Sequence, residues 1–463
     1  MTGRNLAGVN MQNKENKMGV LPVKKLIITM SLPMMISMLV QALYNVVDSI
    51  YVARLSEEAL TAVSVAFPLQ NLMIAFGSGT GVGINALLSR SLGEKRFDRS
   101  NAAANNGLFL TVVNYILFLA AGLFAAGPFV HTQTSTPILI EYATGYLRIV
   151  CCMSLGLFFQ MTFERLLQST GKTLYSMISQ LTGAVVNIIL DPIMIFGLLG
   201  CPKLGVAGAA YATVIGQTCA AVIGCVLNLK KNTEIHFSIR EALSPKADVI
   251  REIYFVGIPS ILMISIGSVM TYLLNLILKT FSETAIAVFG VYFRLQSFFF
   301  MPVFGLNNGL IPVLAYNYGA RKKKRIEEAL RFSMILAMSV MAAGTLLFEL
   351  FPRQLLTLFD ASEDMMVIGI PALRIICTTF PVAGACIVMG SIFQAFSMSF
   401  YSLIVSVGRQ LVVLIPTAFI LSKFGNLYLV WAAFPIAEMV SFLISLFLFR
   451  KLYKARVEPL PEA

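Results

Sequence analysis

LRIVC at positions 147–151 returns as LRIIC at 373–377, changed in one residue and displaced by 226. The same displacement pairs Pro33 with Pro259, Glu57 with Glu283, Leu69-Gln70 with Leu295-Gln296, and Gly79, Gly83 and Gly93 with Gly305, Gly309 and Gly319. Further along it carries Gln168 onto Gln394 and Tyr175-Ser176 onto Tyr401-Ser402 without a gap. One register held over so many positions marks two copies of a single structural unit.

Composition says what that unit is. Of 463 residues, 57% are hydrophobic and 13% charged, with a mean hydropathy of +0.79. Soluble domains carry about 25% charge, so this much apolar surface needs a bilayer around it. Apolar runs of roughly 20 residues recur a dozen times, each long enough at ~1.5 Å per residue to cross ~30 Å of hydrocarbon. Their cores begin near Leu26, Leu60, Ala102, Pro137, Leu174, Leu204, Ile250, Thr284, Ile326, Met365, Tyr401 and Leu427. The expected fold is an all-α membrane protein of twelve transmembrane helices. Six helices per copy is an even number, so both halves enter the membrane the same way up. That predicts two parallel six-helix lobes related by a pseudo-twofold axis along the membrane normal, around a central cleft.

The expected boundaries are an N-terminal tail at 1–24, an N-lobe at 25–229, a polar linker at 230–249, a C-lobe at 250–450 and a C-terminal tail at 451–463. The first 25 residues are polar and the first apolar run is full length, so helix one is expected to act as its own insertion signal. Positive charge sets the orientation. Placing both termini in the cytoplasm, with the linker and the alternate loops, puts 26 of the 35 Lys and Arg on that side. Five lie outside (Arg54, Lys203, Lys279, Arg353 and Lys423) and four fall inside membrane segments (Arg148, Arg294, Arg374 and Arg409). This bias predicts a multi-pass protein of the cell (inner or plasma) membrane, and it explains the net charge of +12 through topology and anionic lipid, with no nucleic acid partner.

Several chemistries are excluded. The two histidines, His131 and His236, lie in loops, so neither a metal centre nor an intramembrane histidine proton chain is expected. STGKT at 169–173 resembles the end of a phosphate-binding loop, but Leu166 stands where the first glycine is required. GSGTGVG at 77–83 lies inside helix two rather than after a strand, and its four-residue glycine spacing suits close helix packing. The seven cysteines form no CxxC pair and read as free thiols. No cofactor is expected, and energy for uphill transport would come from an ion gradient.

An ionised group inside the membrane needs a partner, a water-filled cavity or a proton. Asp48 sits six residues, ~9 Å, from the outer end of helix one, and Asp191 lies at the same outer depth on helix five. Asn187 is four residues before Asp191 and Tyr44 four before Asp48, each on the same helical face as its acid. Two carboxylates held together away from bulk water cannot both keep a bare charge, which predicts a site for H+ or Na+ at Asp48, Asp191 and Asn187. Asp191 could alternatively cap or bond a neighbouring helix. Tyr44, Asn45, Gln41, Gln70 and Glu164 are candidates for substrate contact or coupling, Glu164 and Arg165 reading equally well as a snorkelling pair. Pro33 and Pro192 are candidate hinges, because a proline frees a carbonyl one turn earlier. In the second copy Leu274 and Thr417 replace the two acids, so coupling is assigned to the N-lobe. In the C-lobe, Arg294, Arg409 and Glu438 form an expected charge cluster, most simply a structural ion-pair group.

The segments SLPMMISMLVQALYNVVDSIYVARL, ALLSRSLGEKR, FERLLQSTGKT, VVNIILDPIMIFG, GVAGAAYATVIGQ and WAAFPIAE, in this order within the duplication, resemble the multidrug and toxic compound extrusion (MATE) antiporters over nearly the whole chain. The resemblance implies twelve helices in two lobes, a V-shaped cleft, and export of organic cations against inward H+ or Na+. The family's N-lobe acids match Asp48 and Asp191, with Asn187 beside them. Helix seven (259–278) and the middle of helix ten (371–396) carry no acid, which places the chain nearer the DinF-like than the NorM-like pattern. The expected partners are small organic cations and the lipid bilayer, and the expected state is a monomer. Two rival readings are a lipid or lipid-linked oligosaccharide flippase, which would want a more cationic cavity, and a membrane enzyme, which would need a nucleophile or metal cluster.

Overall fold

The computed structural model describes residues 16–359 and 361–462. Among them every regular element is helical, and twelve spans account for the chain when each of two bent helix pairs counts as one. In the first half these are α1 (Val23–Leu55), α2 (Glu57–Gly93), α3 (Phe97–Gln133), α4 (Pro137–Cys152 with Leu155–Ser169), α5 (Thr173–Phe196) and α6 (Val206–Lys231). In the second they are α7 (Ala247–Lys279), α8 (Glu283–Gly319), α9 (Lys323–Leu350), α10 (Glu363–Cys377 with Phe380–Ala395), α11 (Ser399–Ser422) and α12 (Leu427–Leu452). Each begins within a few residues of the position its apolar run predicts.

The duplication extends to a defect. α4 bends by 49° and α10 by 48°, and the 226-residue offset carries Met153, in the first break, onto Thr379, in the second. Each break is sealed in the same way: the Ser154 hydroxyl donates to the Cys151 carbonyl at 2.7 Å and the Thr378 hydroxyl to the Ile375 carbonyl at 2.8 Å. A broken helix ladder inside a bilayer leaves backbone groups without water, so a nearby hydroxyl must serve them. By contrast, α1 and α5 run unbroken through Pro33 and Pro192.

The linker is shorter than expected, since α6 continues to Lys231 and α7 starts at Ala247. It is also tied down. Asn105 on α3 donates to Glu241 at 2.9 Å and accepts from the Ser238 backbone at 3.0 Å, while the Asn106 side chain accepts from the Lys246 backbone at 2.8 Å. Nor is the described part of the N-terminal tail free. A single turn, Lys17–Val20, is capped by Asn16, and Met18 is fully buried.

Glycines decide how the lobes meet. A methyl on Gly83 of α2 would stand 2.1 Å from the Ile253 carbonyl oxygen of α7, and one on Gly79 2.8 Å from the Ile261 nitrogen. Between α2 and α8, a methyl on Gly93 would stand 2.0 Å from the Tyr316 oxygen, and one on Gly319 2.2 Å from the Arg90 oxygen. Gly305 and Gly309 of α8 pack as closely on Met35 and Ser31 of α1. All these approaches lie in the halves of the helices nearest the linker. The lobes are therefore packed tightly together at the linker face.

Candidate functional site

In the half of the N-lobe away from the linker, α1 and α5 bring the carboxyl groups of Asp48 and Asp191 within hydrogen-bonding reach of each other. Asp191 is fully buried, and one oxygen of each carboxyl, Oδ1, has no other partner. With the Asn187 amide turned to satisfy its neighbours, its nitrogen donates to Asp191 Oδ2 at 2.8 Å and its oxygen accepts from the Thr213 N–H at 2.9 Å and the Thr213 hydroxyl at 3.2 Å. The Tyr44 hydroxyl also bonds Thr213. On α4, the Tyr146 hydroxyl donates to Gln70 at 3.5 Å beside Asp48. Glycine makes the arrangement possible: a methyl on Gly216 of α6 would stand 2.7 Å from the Gly183 oxygen of α5, so the two helices touch where Asn187 must reach Thr213.

Two acids in contact, each with an idle oxygen, repel unless a proton lies between them or a cation neutralises them. The oxygens of the pair are hard ligands suited to a small monovalent ion. The arrangement can thus take up and give back one positive charge.

Below the pair lies a cavity of about 100 Å³ enclosed by α1, α4, α5 and α6. Tyr44, Asn187 and Thr213 line it together with Glu164 and Gln160, so it joins the acid pair to a third carboxyl. Glu164 is 8% exposed and accepts from the Gln160 amide at 2.9 Å. Gln180 donates to Gln41 across the same space at 2.5 Å.

The MatE family model matches residues 33–193 and again residues 259–420. This chain belongs to the MatE family. The two matches begin at Pro33 and Pro259, at the 226-residue offset of the internal repeat. Among its relatives, the multidrug export protein MepA of Staphylococcus haemolyticus is 27% identical over 420 residues, covering 90% of this chain and 91% of that protein. The probable multidrug resistance protein YoeA of Bacillus subtilis is 25% identical over 417 residues, covering 89% and 90%. A solved structure described as the outward-facing conformation of a multidrug resistance MATE family transporter superposes with a TM-score of 0.90 at 27% identity, covering 96% of this chain and 99% of that one.

In this MatE protein, Asn187, Tyr44, Gln41 and Glu164 line one cavity, Asp48 and Asp191 adjoin it through Asn187 and Tyr44, and Gln70 joins them through Tyr146. Asn45 does not: it lies one residue past Tyr44, about 100° around the helix, and is exposed. The expected C-lobe cluster is reduced to a pair. Arg409 meets Glu438 at 3.2 Å from within a π-helical turn, Gly408–Leu414, whereas Arg294 is exposed and makes no ion pair among the described residues. Depth along a helix had suggested all three together, but depth does not specify the face. Thr213 and Tyr146 were missed by the sequence reading. Thr213 had a signal, because Gln217 follows it by one turn on a mostly apolar helix, on the same face.

Proposed function

We propose that this chain is a secondary active multidrug efflux antiporter that exports organic cations across the cell membrane in exchange for H+ or Na+, by alternating access of its two lobes. The observation that carries this reading is the contact between Asp48 and Asp191 with an idle oxygen on each. The names of the relatives, multidrug export and multidrug resistance proteins, support the efflux direction. The excess of Lys and Arg at the linker face argues that this face and both termini are cytoplasmic. On that orientation the tightly packed face is the inner one. One ion, proton or sodium, enters between the two acids and relieves their repulsion; α1 near Pro33 or α5 near Pro192 bends; the drug leaves; and the loaded carrier turns inward. No other cofactor is needed, and a monomer suffices because each lobe supplies one wall of the cleft.

Charge balance limits the work available. If one monovalent ion enters for each monovalent drug cation expelled, no net charge moves and the membrane potential contributes nothing. One pH unit then supplies about 1.4 kcal/mol, enough for roughly a tenfold drug gradient. Broad substrate acceptance would draw on the 34 Phe and 23 Met of the chain, soft surfaces that repack around flat cations.

The test is ethidium movement in liposomes containing the purified protein, under an imposed pH gradient and, separately, an imposed sodium gradient. One of the two is expected to drive accumulation, and Asp48→Asn or Asp191→Asn is expected to abolish it while the protein still elutes as a folded species. Uphill transport surviving in either variant would refute the coupling assignment.

A further inference from the structure

Glu164 and Arg165 are neighbours on the second arm of α4, and successive residues of a helix point about 100° apart. Glu164 faces the ion cavity. Arg165 faces the other way, into the seam between the lobes. Its Nη1 donates to Asn308 Oδ1 of α8 at 3.1 Å and to Gln168 Oε1 at 3.0 Å, and its Nη2 donates to the Ser78 hydroxyl of α2 at 3.4 Å. Gly81 on α2 gives the arginine stem its room, since a methyl there would stand 2.7 Å from Arg165 Cγ. All three partners are neutral, and the one charged group bearing on Arg165 among the described residues is Glu164. A single helical turn therefore touches the ion cavity with one side chain and the opposite lobe with the next.

We propose that Arg165 is a positioning residue that links ion loading to the inter-lobe seam: it clasps Asn308 while the linker face is shut, and the charge on Glu164 sets how stable that clasp is. With Glu164 ionised, the guanidinium has a compensating charge within its own turn and can remain in the seam. Neutralising Glu164, by a proton or by a cation in the cavity, leaves a half-buried guanidinium with dipoles alone around it, a less favourable state that is relieved when the seam opens and more water reaches it. Loading the cavity thus favours opening at the linker face, the direction an ion-driven exporter needs. This inference rests on the alternating-access reading and adds the element that transmits occupancy.

The test is a distance measurement across the linker face of the full-length protein in lipid nanodiscs. Spin-labelled non-natural amino acids replace the exposed residues Asp98 and Lys324, so that the seven native cysteines do not interfere. Two distances, shut and open, are expected. Asn308→Ala should raise the open share several-fold. Asn308→Asp, which offers the guanidinium a carboxylate, should lower it and slow uphill export. Glu164→Gln should raise the open share in the parent protein and have no further effect beside Arg165→Ala. Asparagine variants moving the equilibrium in the same direction, or additive effects of Glu164→Gln and Arg165→Ala, would overturn the link while leaving alternating access intact. A single distance under every ionic condition would overturn both. If Arg165→Ala does not fold, the opposite signs expected at Asn308 still decide the matter.

Discussion

Asn187 is the residue on which the geometry of the acid pair turns. Its amide nitrogen is committed to Asp191 and its oxygen to Thr213, so it ties the carboxyl on α5 to the backbone of α6. A hydrogen bond to a charged group contributes about 1.5–3 kcal/mol. If the ion is H+, Asn187→Ala is therefore expected to lower the half-saturating ion concentration for transport by at least tenfold, because losing the donor to Asp191 favours the protonated carboxyl. Thr213→Val, which keeps the N–H but loses the hydroxyl, removes a neutral bond of about 0.5–1.5 kcal/mol and should shift it only severalfold in the same direction. Equal effects from the two would mean that Asn187 does not act on the ion. At this scale the sequence is legible where partners lie one turn apart on a single helix, as with Tyr44 and Asp48 or Asn187 and Asp191. It is silent where they come from different helices. Thr213, Tyr146 and the exposed position of Arg294 all belong to that second group.

Among the elements, glycine and the repeated bend carry most of the design. Gly83 lies against backbone of α7 rather than a flexible side chain, so no rotamer change can make room there. Gly83→Leu should therefore destabilise the shut linker face by about 1–3 kcal/mol, the usual cost of overpacking. Inter-lobe distances would show this as a larger open share, with unfolding temperature changed little. A variant that unfolds outright, with no shift in the distances beforehand, would place Gly83 within a lobe's core instead of at a moving seam. The sequence announced these glycines through their four-residue spacing and their recurrence at 226. It announced the bend at Thr379 only through Pro381 in the first turn of the arm that follows, and it did not announce the bend at Met153, where no proline is near and the Ser154 hydroxyl returns to its own helix.

For the whole molecule, the linker face is a layered seal between the lobes. Glu252 of α7 pairs with Arg90 and Arg99 of the N-lobe, and Arg90 also reaches Ser397 of the C-lobe at 3.3 Å. The N-terminal turn adds another layer. Asn16 holds the Thr170 carbonyl at 3.0 Å and Glu234 on the N-lobe side, while the Met18 and Leu21 carbonyls accept from Arg325 at 3.0 and 2.7 Å on the C-lobe side. Glu252→Gln removes the carboxylate that Arg90 and Arg99 share, leaving Arg90 only its looser pair with Glu94 at 3.5 Å. Because the group is about one-fifth exposed, the cost should fall below the ~3–5 kcal/mol of a fully buried pair. The expected outcome is a larger open share that shrinks as salt is added, since screening weakens the repulsion between the arginines. A salt-independent effect would mean that the carboxylate acts through packing alone.

What the sequence determined by itself is the layout: twelve spans, their doubling at 226 and the presence of two acids at one depth. A bilayer of fixed thickness forces apolar runs of fixed length, and backbone hydrogen bonding in hydrocarbon forces those runs to be helices, so both are written in the order of residues. Only the tertiary structure decided which helical faces meet. It set Asp191 against Asp48, turned Glu164 to the cavity and Arg165 to the seam, and left Asn45 and Arg294 outside. Those outcomes depend on how helices rotate and cross, and rotation is set by packing between segments far apart in the chain, where one residue's spacing from the next carries no information.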